Sequence, residues 1–564
     1  MIAFLSVSLP STMHARQSVY TFKGSGPRYW IAYEYCWTNN MAINEERWQK
    51  NIDWVAKNFK AYGYDMVCND GWIEGAQTIN TDGYITKYND LWVNGFDYWS
   101  NYLSERGMKM GVYYNPLWLT RTALAKNVCV EGTGYKANDI VGTTPFNVDL
   151  NWVDTDKPGA KAWIQGYVNY FINLGARYLR IDFLENYEKN YGTRRYEKAL
   201  KWIVEAAGDR IFLSLVMPNC YNKAETELKY GDMIRIDDDC FHGGWDFLSN
   251  RRRGQRNSGW PQFGNAFDGF IYFSGIAGRG QMIMDGDFIR LNKLANDDER
   301  IFNISLFTMA GSPICIADQY DTGDSLVRFY QNKEMLALND QGFAGKPLSD
   351  EMADTVNSSR WAGQLPDGSW VVGLFNREDT PQTRGIGLYK ELGIDTSAII
   401  EKYDIWLHKT IGGSLTDYTE VLRPHSCRIL KISCFAKKYE AEVASMTGGA
   451  EKEVSNNGFS AFGYAGNLRL TGSKVLFAVD ADVEGNYNLR FRCIVPDASN
   501  CSESLFVNNR RCCKLRFPEG KRTGEWLFAD RQVSLKKGIN YIWLQCEPGE
   551  TGIEALDYLQ VLKD

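Results

Sequence analysis

Residues 178–183, with the sequence Tyr-Leu-Arg-Ile-Asp-Phe, form a predicted buried strand that carries two charged side chains. Side chains two residues apart lie on the same face of a strand, so Arg180 and Asp182 share one face and the apolar side chains take the other. Burying charged groups costs free energy unless they are paired. The pattern therefore predicts a carboxylate held beside a guanidinium at the end of this strand.

A second predicted strand, residues 233–239, repeats this pattern about fifty residues later. Arg235, Asp237 and Asp239 share one face, and Asp238 lies on the opposite face. Two strands that each end in Asp beside an Arg suggest two carboxyl groups that face a common pocket. One ionised and one protonated carboxyl group are what retaining glycoside hydrolysis requires. A bound calcium ion or a helix cap is the alternative for the three consecutive aspartates.

Both segments belong to a larger pattern in which short apolar strands alternate with amphipathic helices. This alternation predicts a parallel sheet, and eight strands predict a closed (β/α)8 TIM barrel whose polar strand ends converge on the catalytic face. An open, doubly wound sheet is the competing fold, but it would not need polar ends on so many strands. The predicted strands are 29–37, 65–72, 109–116, 178–183, 211–216, 233–239, 281–285 and 313–318, and the predicted helices are 44–62, 97–106, 160–174, 193–207 and 298–310.

Two further regions follow the barrel pattern, and both are rich in short β-like runs separated by turn residues. The first has the texture of a small antiparallel domain, and the second alternates strands with turns as a β-sandwich does. We therefore predict an α/β chain with several domains. They are an N-terminal segment (1–27), a catalytic (β/α)8 barrel (28–335), an antiparallel β domain (336–434) and a C-terminal β-sandwich (435–564).

Composition excludes some classes of function. The chain has 564 residues and a formal net charge of −6, which argues against a nucleic-acid partner. No run of about 20 apolar residues is present, so we predict no transmembrane segment. The first nine residues are apolar and residues 13–15 end in alanine. This start is typical of a signal peptide without its basic end, with a frayed tail as the alternative, and we expect a secreted or periplasmic bacterial protein.

The chain resembles the α-galactosidase family of glycosidases, glycoside hydrolase family 27 of clan D, over about residues 28–434. Four motifs carry the resemblance in the family's order and spacing, namely residues 61–72, 108–114, 175–182 and 235–239. The resemblance implies that Asp182 forms a glycosyl-enzyme, and that Asp239 protonates the leaving oxygen and then deprotonates water. Strand alternation and the family's spacing favour Asp239 as the acid/base, and Asp238 stays the alternative.

The resemblance also implies roles for the two arginines. Arg180 would keep Asp182 ionised. Arg235 could orient either Asp237 or Asp239, which lie two and four residues after it. Because one carboxyl group must be ionised and the other protonated at the same pH, their neighbours must push the two pKa values apart.

Sugar-binding side chains are expected after the second predicted strand. The resemblance implies that Asp70 accepts hydrogen bonds from sugar hydroxyl groups. Asn69 stands where the family has the first Asp of a pair, and Gly71 stands where it has a disulfide-bonded Cys. An amide brings a donor to a place where the family has only acceptors. These departures put galactose specificity in doubt and leave glycosidase chemistry unaffected.

Other strand ends complete the predicted binding set. Tyr113 matches a family position at the end of the third strand. Trp72 is a stacking platform for a sugar ring or, alternatively, a core tryptophan. Asp285 is a candidate sugar ligand because residues 284–287 resemble a strand end of the family. His242 lines the rim of the pocket or is an ordinary loop residue.

The C-terminal region, from about residue 437 to 564, resembles carbohydrate-binding modules of the family 35 or family 6 type. Residues 439–442 match the opening strand of such modules, and residues 555–559 match the closing strand. The resemblance implies that Glu440, Glu442 and Asp557 hold a structural calcium ion, because three carboxylates make a hard oxygen site. Carboxylates at the protein surface are the alternative.

These observations predict a retaining glycoside hydrolase that cleaves terminal α-galactoside-like residues from oligo- or polysaccharides and needs no cofactor for catalysis. Within the same family, the alternatives are an α-N-acetylgalactosaminidase, a β-L-arabinopyranosidase and an isomaltose-releasing dextranase. A non-catalytic glycan-binding protein is the alternative from another class. The presence of both Asp182 and Asp239 argues against that last alternative.

Overall fold

The computed structural model describes residues 26–71, 73–240, 242–496, 501–519 and 524–563. The predicted leader and Trp72 lie outside the described residues. Within these ranges no helix combines the length and the apolarity that a membrane crossing requires.

Eight parallel strands form the first domain: β1 (Tyr29–Ile31), β2 (Met66–Cys68), β3 (Lys109–Tyr113), β4 (Ala176–Ile181), β5 (Phe212–Leu215), β6 (Met233–Arg235), β7 (Ile283–Asp285) and β8 (Cys315–Ile316). They lie in the order β7-β6-β5-β4-β3-β2-β1-β8. Ile289, which follows β7, pairs with Ile316 of β8 and closes the ring. The predicted (β/α)8 barrel is confirmed, with its strand ends directed to one face.

Amphipathic helices cover the outside of the barrel at the five predicted positions: Glu45–Asn58, Phe96–Glu105, Ala160–Asn173, Thr193–Ala207 and Asp297–Ala310. Local capping fixes where some of them begin. The Asn44 side chain accepts a hydrogen bond from the Arg47 N–H, and the Asn296 side chain accepts one from the Glu299 N–H. These helices bury their apolar faces against the sheet and hold the strand ends in register.

The predicted strand 29–37 is wrong beyond its first residues. β1 ends at Ile31, where its neighbour β2 also ends, because Ile31 pairs with Cys68, the last residue of β2. Residues Tyr33–Asn39 form a helix instead, and Asn40 ends it in a left-handed conformation with φ of 48°. This helix lies at the catalytic face of the barrel, since it follows the carboxyl end of a barrel strand.

A three-stranded antiparallel sheet interrupts the connection between β3 and β4, and the sequence analysis does not predict it. Its strands are Trp118–Thr120, Val141–Pro145 and Leu150–Val153. The ring of Phe146, just after the second strand, packs on Phe183 with centroids 4.7 Å apart. The insertion therefore borders the catalytic face beside β4.

Two β domains follow the barrel. The first has a six-stranded sheet of Lys346–Pro347, Arg360–Gln364, Trp370–Phe375, Cys427–Cys434, Ile399–Asp404 and Lys409–Thr410, with a two-stranded sheet of Gln382–Gly387 and Asp417–Leu422. The second is a sandwich. One sheet contains Glu451–Glu453, Tyr464–Gly466, Ala555–Lys563, Gly485–Ile494, Trp526–Leu535 and Lys438–Glu440, and the other contains Ser445–Thr447, Lys474–Ala481, Gly538–Gln545, Ser502–Val507 and Arg510–Arg516. The sandwich has its own apolar core.

Candidate active site

Asp182 lies directly after β4, at the carboxyl end of the barrel. Its Oδ2 atom accepts a hydrogen bond from the Tyr113 hydroxyl group at 2.9 Å, and its Oδ1 atom accepts one from the Phe183 N–H at 2.6 Å. The Asn115 side chain donates to the Asp182 backbone carbonyl at 2.7 Å. Phe183 has a left-handed φ of 59°, which turns the chain from the strand into the next helix. These contacts fix the orientation of the carboxylate.

Arg180, two residues earlier on β4, is buried among carboxylates. Its Nη1 atom donates to Asp285 Oδ2 at 2.9 Å, and its Nη2 atom donates to Asp287 Oδ1 at 3.1 Å. Its Nε atom lies 3.4 Å from Asp70 Oδ2. A guanidinium has donors in a fixed planar fork, so it holds these three carboxylates in set positions.

Arg235 on β6 makes a second set of ion pairs. Its Nη1 atom donates to Asp287 Oδ1 at 2.7 Å, and its Nη2 atom donates to Asp239 Oδ1 at 3.0 Å. Its Nε atom donates to the buried Asp237 at 3.3 Å. Arg235 was predicted to orient either Asp237 or Asp239. In the structure its guanidinium contacts both.

Asp287 joins the two arginines, because its Oδ1 atom accepts from both Arg180 and Arg235. Its Oδ2 atom accepts from the Cys240 N–H at 2.7 Å. Burial nevertheless raises the pKa of Asp287 to about 7. Asp285, the candidate sugar ligand predicted at this strand end, is fully buried against Arg180.

Burial raises the pKa of Asp182 to about 6, and the negative charge of Asp239 adds to the rise. Arg180, the Phe183 N–H and the Tyr113 hydroxyl group lower this pKa without outweighing burial. The expectation that Arg180 keeps the carboxyl group ionised is therefore only partly right, since its hydrogen bonds go to other carboxylates. Asp182 follows β4 and Asp239 follows β6, and Asp287 joins the arginines beside them, so both carboxyl groups lie at the same end of the barrel.

Asp239 and Asp238 point in different directions. The Asp239 side chain is 37% exposed and contacts the Arg235 guanidinium. The Asp238 Oδ2 atom instead lies 3.0 Å from Nη2 of Arg251, in the loop that follows. This arrangement agrees with the strand alternation that favours Asp239 as the acid/base.

Asn69 and Asp70 follow β2, and both are buried. Asn69 Oδ1 accepts from the Tyr113 N–H at 3.2 Å, and Asn69 Nδ2 lies 3.5 Å from the Tyr113 carbonyl oxygen. An amide can accept from the Tyr113 N–H and also donate to the Tyr113 carbonyl oxygen, whereas a carboxylate can only accept. Gly71 has a φ of +73°, and a Cβ atom there would lie 2.8 Å from the Cys36 Cβ atom. Local packing thus accounts for both departures from the α-galactosidase pattern.

Three further residues near these side chains were not predicted from the sequence, because no spacing signal marks them. Burial raises the pKa of the half-buried Tyr33 hydroxyl group, and the negative charges of Asp239 and other carboxylates raise it further. Glu74 Oε1 accepts from the Tyr113 hydroxyl group at 2.7 Å. The Trp260 ring lies 5.6 Å from the Arg235 guanidinium.

Comparisons with known proteins agree with this geometry. A family model described as the α-galactosidase C-terminal β-sandwich domain matches residues 357–432. An isomalto-dextranase of Arthrobacter globiformis is 41% identical over 490 residues, which cover 82% of this chain and 76% of that protein. The chain belongs to the glycoside hydrolase family of this isomalto-dextranase.

Structural comparison extends this family relationship to the whole chain. The Arthrobacter globiformis T6 isomalto-dextranase complexed with panose has a TM-score of 0.92 and 38% identity, over 97% of this chain and 98% of that chain. A family 27 β-L-arabinopyranosidase of Geobacillus stearothermophilus shares the fold, with a TM-score of 0.61 and 20% identity over 73% of this chain and 97% of that chain. The fold of the isomalto-dextranase family is thus α-galactosidase-like.

The C-terminal sandwich of the chain buries the three predicted calcium ligands, Glu440, Glu442 and Asp557. Ser460 joins two of them, because its Oγ atom donates to Glu440 Oε1 at 2.8 Å and its N–H donates to Asp557 Oδ1 at 2.9 Å. Glu442 Oε1 accepts from the Phe462 N–H at 3.2 Å. Burial raises the pKa of Glu440 to about 7 and the pKa of Glu442 well above its usual range.

Cations of the protein neutralise part of this cluster. Lys438 Nζ lies 2.7 Å from Glu440 Oε1, and Arg492 forms an ion pair with Asp557. As the side chains stand, with Lys438 and Arg492 paired to the cluster, no group of three or more His, Cys, Asp or Glu in the described part of the chain is arranged as a metal site. The calcium ion and the resemblance to a carbohydrate-binding module stay predictions.

Proposed function

We propose that the protein is a retaining glycoside hydrolase that releases isomaltose from the α-1,6-linked glucan dextran. The observation that carries the proposal is the chain of contacts at the carboxyl end of the barrel. Arg180, two residues before Asp182, and Arg235, which donates to Asp239, both donate to Asp287 Oδ1. The 41% identity to an isomalto-dextranase supports this substrate over an α-galactoside.

In the proposed first step, a carboxylate oxygen of Asp182 attacks the anomeric carbon. The bond between that carbon and the linking oxygen breaks, and the Asp239 carboxyl group gives its proton to that oxygen. The product is an ester between Asp182 and the isomaltosyl unit. The Phe183 N–H and the Tyr113 hydroxyl group orient the attacking carboxylate.

In the proposed second step, Asp239 takes a proton from a water molecule, and the water oxygen attacks the same carbon from the opposite side. The ester bond breaks and its electrons return to Asp182, so the configuration of the released sugar equals that of the substrate. Arg235 donates to Asp239 Oδ1 at 3.0 Å, so it would orient this carboxyl group for both proton transfers.

Tyr113 offers a way to adjust to the charge change at Asp182. Its hydroxyl oxygen lies 2.9 Å from Asp182 Oδ2 and 2.7 Å from Glu74 Oε1, and it has one proton to donate. Donation to Asp182 suits the free carboxylate, and donation to Glu74 suits the ester intermediate, in which Asp182 has no charge. Glu74 would thus keep the tyrosine in place through both steps.

Digestion of dextran followed by separation of the products tests this function. We expect isomaltose as the main early product, and proton NMR in the first minutes should show its α-anomer. A p-nitrophenyl α-galactoside assayed in parallel should react far more slowly. Rapid galactoside cleavage with intact dextran would establish the α-galactosidase alternative, and tight dextran binding without turnover would establish the non-catalytic one.

We also propose that the C-terminal cluster binds calcium. Within the described residues, no hydrogen bond reaches Oε2 of Glu440 or Oε2 of Glu442, although both atoms are buried. Such atoms could ligate a hard cation. Calcium should then raise the melting temperature of the wild type and not that of the Glu442→Gln variant. Equal melting temperatures of the wild type with calcium and with a chelator would contradict this proposal.

A further inference from the structure

We propose that Trp37 and Trp260 bind the departing part of the glucan, on the side of the pocket next to Asp239. This inference rests on the proposed function, since it names a subsite of that reaction. The general acid lies beside the bond that breaks, so the sugar unit behind that bond lies on the Asp239 side. Aromatic rings there would pack against the apolar face of a sugar.

A single side chain, that of Arg235, connects Trp260 to the proposed acid/base Asp239. It belongs to the loop after β6, and the backbone of this loop returns to the strand end, where the Asp238 N–H donates to the Phe263 carbonyl oxygen at 2.9 Å. The Arg235 guanidinium lies 5.6 Å from the centre of the Trp260 ring and donates to Asp239 Oδ1. The indole is only partly buried, so the rest of its surface stays accessible.

Trp37 approaches the segment of Asp239 from another part of the barrel. It lies on the helix Tyr33–Asn39, and 42% of its surface is exposed, which is unusual for the largest apolar side chain. Its ring centre is 6.5 Å from that of Tyr33, the first residue of the same helix. It also meets the ring of His242 edge-on at 6.1 Å. Trp260 thus lies beside the arginine that contacts Asp239, and Trp37 lies beside His242, three residues after Asp239.

This arrangement suits a neutral sugar better than a charged ligand. The nearby guanidinium of Arg235 already contacts three carboxylates of the protein. The surfaces left open are aromatic, and they need hydroxyl-rich partners with an apolar face rather than ions. His242, which the sequence analysis left between a rim position and an ordinary loop, contacts Trp37 and thus belongs to this border.

The same subsite would also receive an acceptor sugar. In that case a sugar hydroxyl oxygen replaces water in the second step and attacks the anomeric carbon. Asp239 takes the hydroxyl proton, and the ester electrons return to Asp182, so atoms and charges balance without another reactant. Transfer to added isomaltose should therefore accompany hydrolysis, and the ratio of transfer to hydrolysis reports occupancy of the subsite.

Two substrates that differ only in the departing group test the inference. In dextran this group is a glucan chain that can contact the tryptophans, and in α-isomaltosyl fluoride it is a fluoride ion that cannot. For Trp37→Ala and for Trp260→Ala, we expect kcat/KM on dextran to fall about tenfold, the size of one aromatic contact. On the fluoride kcat/KM should stay within about twofold, and the transfer ratio should fall.

Two further variants separate binding from folding. Trp260→Phe keeps an aromatic ring, so it should recover part of the loss on dextran. Tyr98→Ala removes another exposed ring of the barrel, 45% exposed on the helix Phe96–Glu105, and should leave both substrates unaffected.

The outcomes distinguish this inference from the proposed function. Equal losses on dextran and the fluoride would mean a structural role and overturn the subsite. Unchanged activity on dextran, with wild type active, would overturn the subsite alone. A wild type that cleaves neither dextran nor the fluoride would overturn the proposed function together with the subsite.

Discussion

The barrel and the C-terminal sandwich each bury a cluster of carboxylates, and the two clusters are neutralised differently. In the barrel, Arg180 and Arg235 together contact five aspartates with distances from 2.7 to 3.4 Å. In the sandwich, Lys438 and Arg492 contact the edges of the cluster. Glu442 is buried there, and the nearby charges of Glu440 and Asp557 raise its pKa further.

The difference explains which cluster can do chemistry. The barrel network fixes its buried aspartates with two arginines, whereas the Asp182 carboxylate is held by the Tyr113 hydroxyl group and the Phe183 N–H. The charge of Asp182 can therefore change without loss of an arginine contact, and Asp239, which is 37% exposed, keeps its contact with Arg235. The sandwich cluster has too few cations for its carboxylates, so it must retain protons or bind a cation. It therefore bears on stability rather than on the reaction.

The largest expected effect comes from the barrel. Asp182→Asn keeps the shape of the side chain and removes the nucleophile, so activity on dextran should fall at least about 10⁴-fold. Initial rates of isomaltose release measure this loss. Asp238→Asn is the matched control, because its carboxylate contacts Arg251, and it should change the rate only a few-fold. A larger loss of activity in Asp238→Asn than in Asp239→Asn would show that Asp238 is the acid/base.

The second effect is on stability. Arg180→Met removes the partner of Asp285 and Asp287 and leaves buried charges uncompensated, which should lower the free energy of unfolding by about 3–5 kcal/mol. Denaturant titration measures this change. The matched control is Arg490→Met, whose pair with Asp530 is exposed and should contribute less than about 1 kcal/mol. Similar values for both variants would refute the structural role of the network.

The third effect is the pH dependence of the sandwich. The pKa of Glu440 is raised from 4.5 to about 7 in the folded chain, so folding favours the protonated form. The resulting stabilisation is complete below about pH 4.5 and is lost as the pH rises through about 7. Without calcium, the melting temperature should therefore fall between pH 5 and pH 8. Glu440→Gln mimics the protonated form and should make this fall smaller; an unchanged fall would contradict the account.

The smallest effect concerns specificity. Asn69→Asp restores the acid of the α-galactosidase pattern but loses the donor to the Tyr113 carbonyl oxygen, so unfolding should become easier by about 1–2 kcal/mol. No α-galactosidase activity should appear. The exposed Asn486→Asp is the control and should change stability by less than about 0.5 kcal/mol. New α-galactosidase activity in Asn69→Asp would show that this position alone determines which sugar the enzyme accepts.

Strand patterns were sufficient to predict the barrel, because eight apolar runs alternate with helical patterns and six of the runs have Asp or Asn at or near their carboxyl ends. They also predicted that Asp239 and Arg235 share a face, since alternation on a strand is a local property. They failed at residues 33–37, where aromatic side chains occupy every second position as in a strand. The pairing with β2 stops at Ile31, and sequence alone does not reveal where neighbouring strands end.

The residues that sequence could not place are those whose role depends on distant partners. Asp287 is central because Arg180 and Arg235 reach it from two different strands. Asn69 resembles a sugar ligand in sequence, whereas its amide ties β2 to the backbone of Tyr113. Tyr33 begins a helix where a strand was predicted, and Trp260 lies in a loop whose path no local pattern predicts. Such contacts arise from tertiary packing, which has no period along the chain.

The most direct test of the central claim is to identify the residue that carries the sugar during the reaction. Isomaltosyl fluoride with a second fluorine on the reacting ring slows breakdown of the ester, so the intermediate accumulates. After denaturation, peptide mass mapping should find the added sugar on the peptide that contains Asp182. Sugar on a peptide without Asp182, or release of products without a covalent intermediate, would contradict the account.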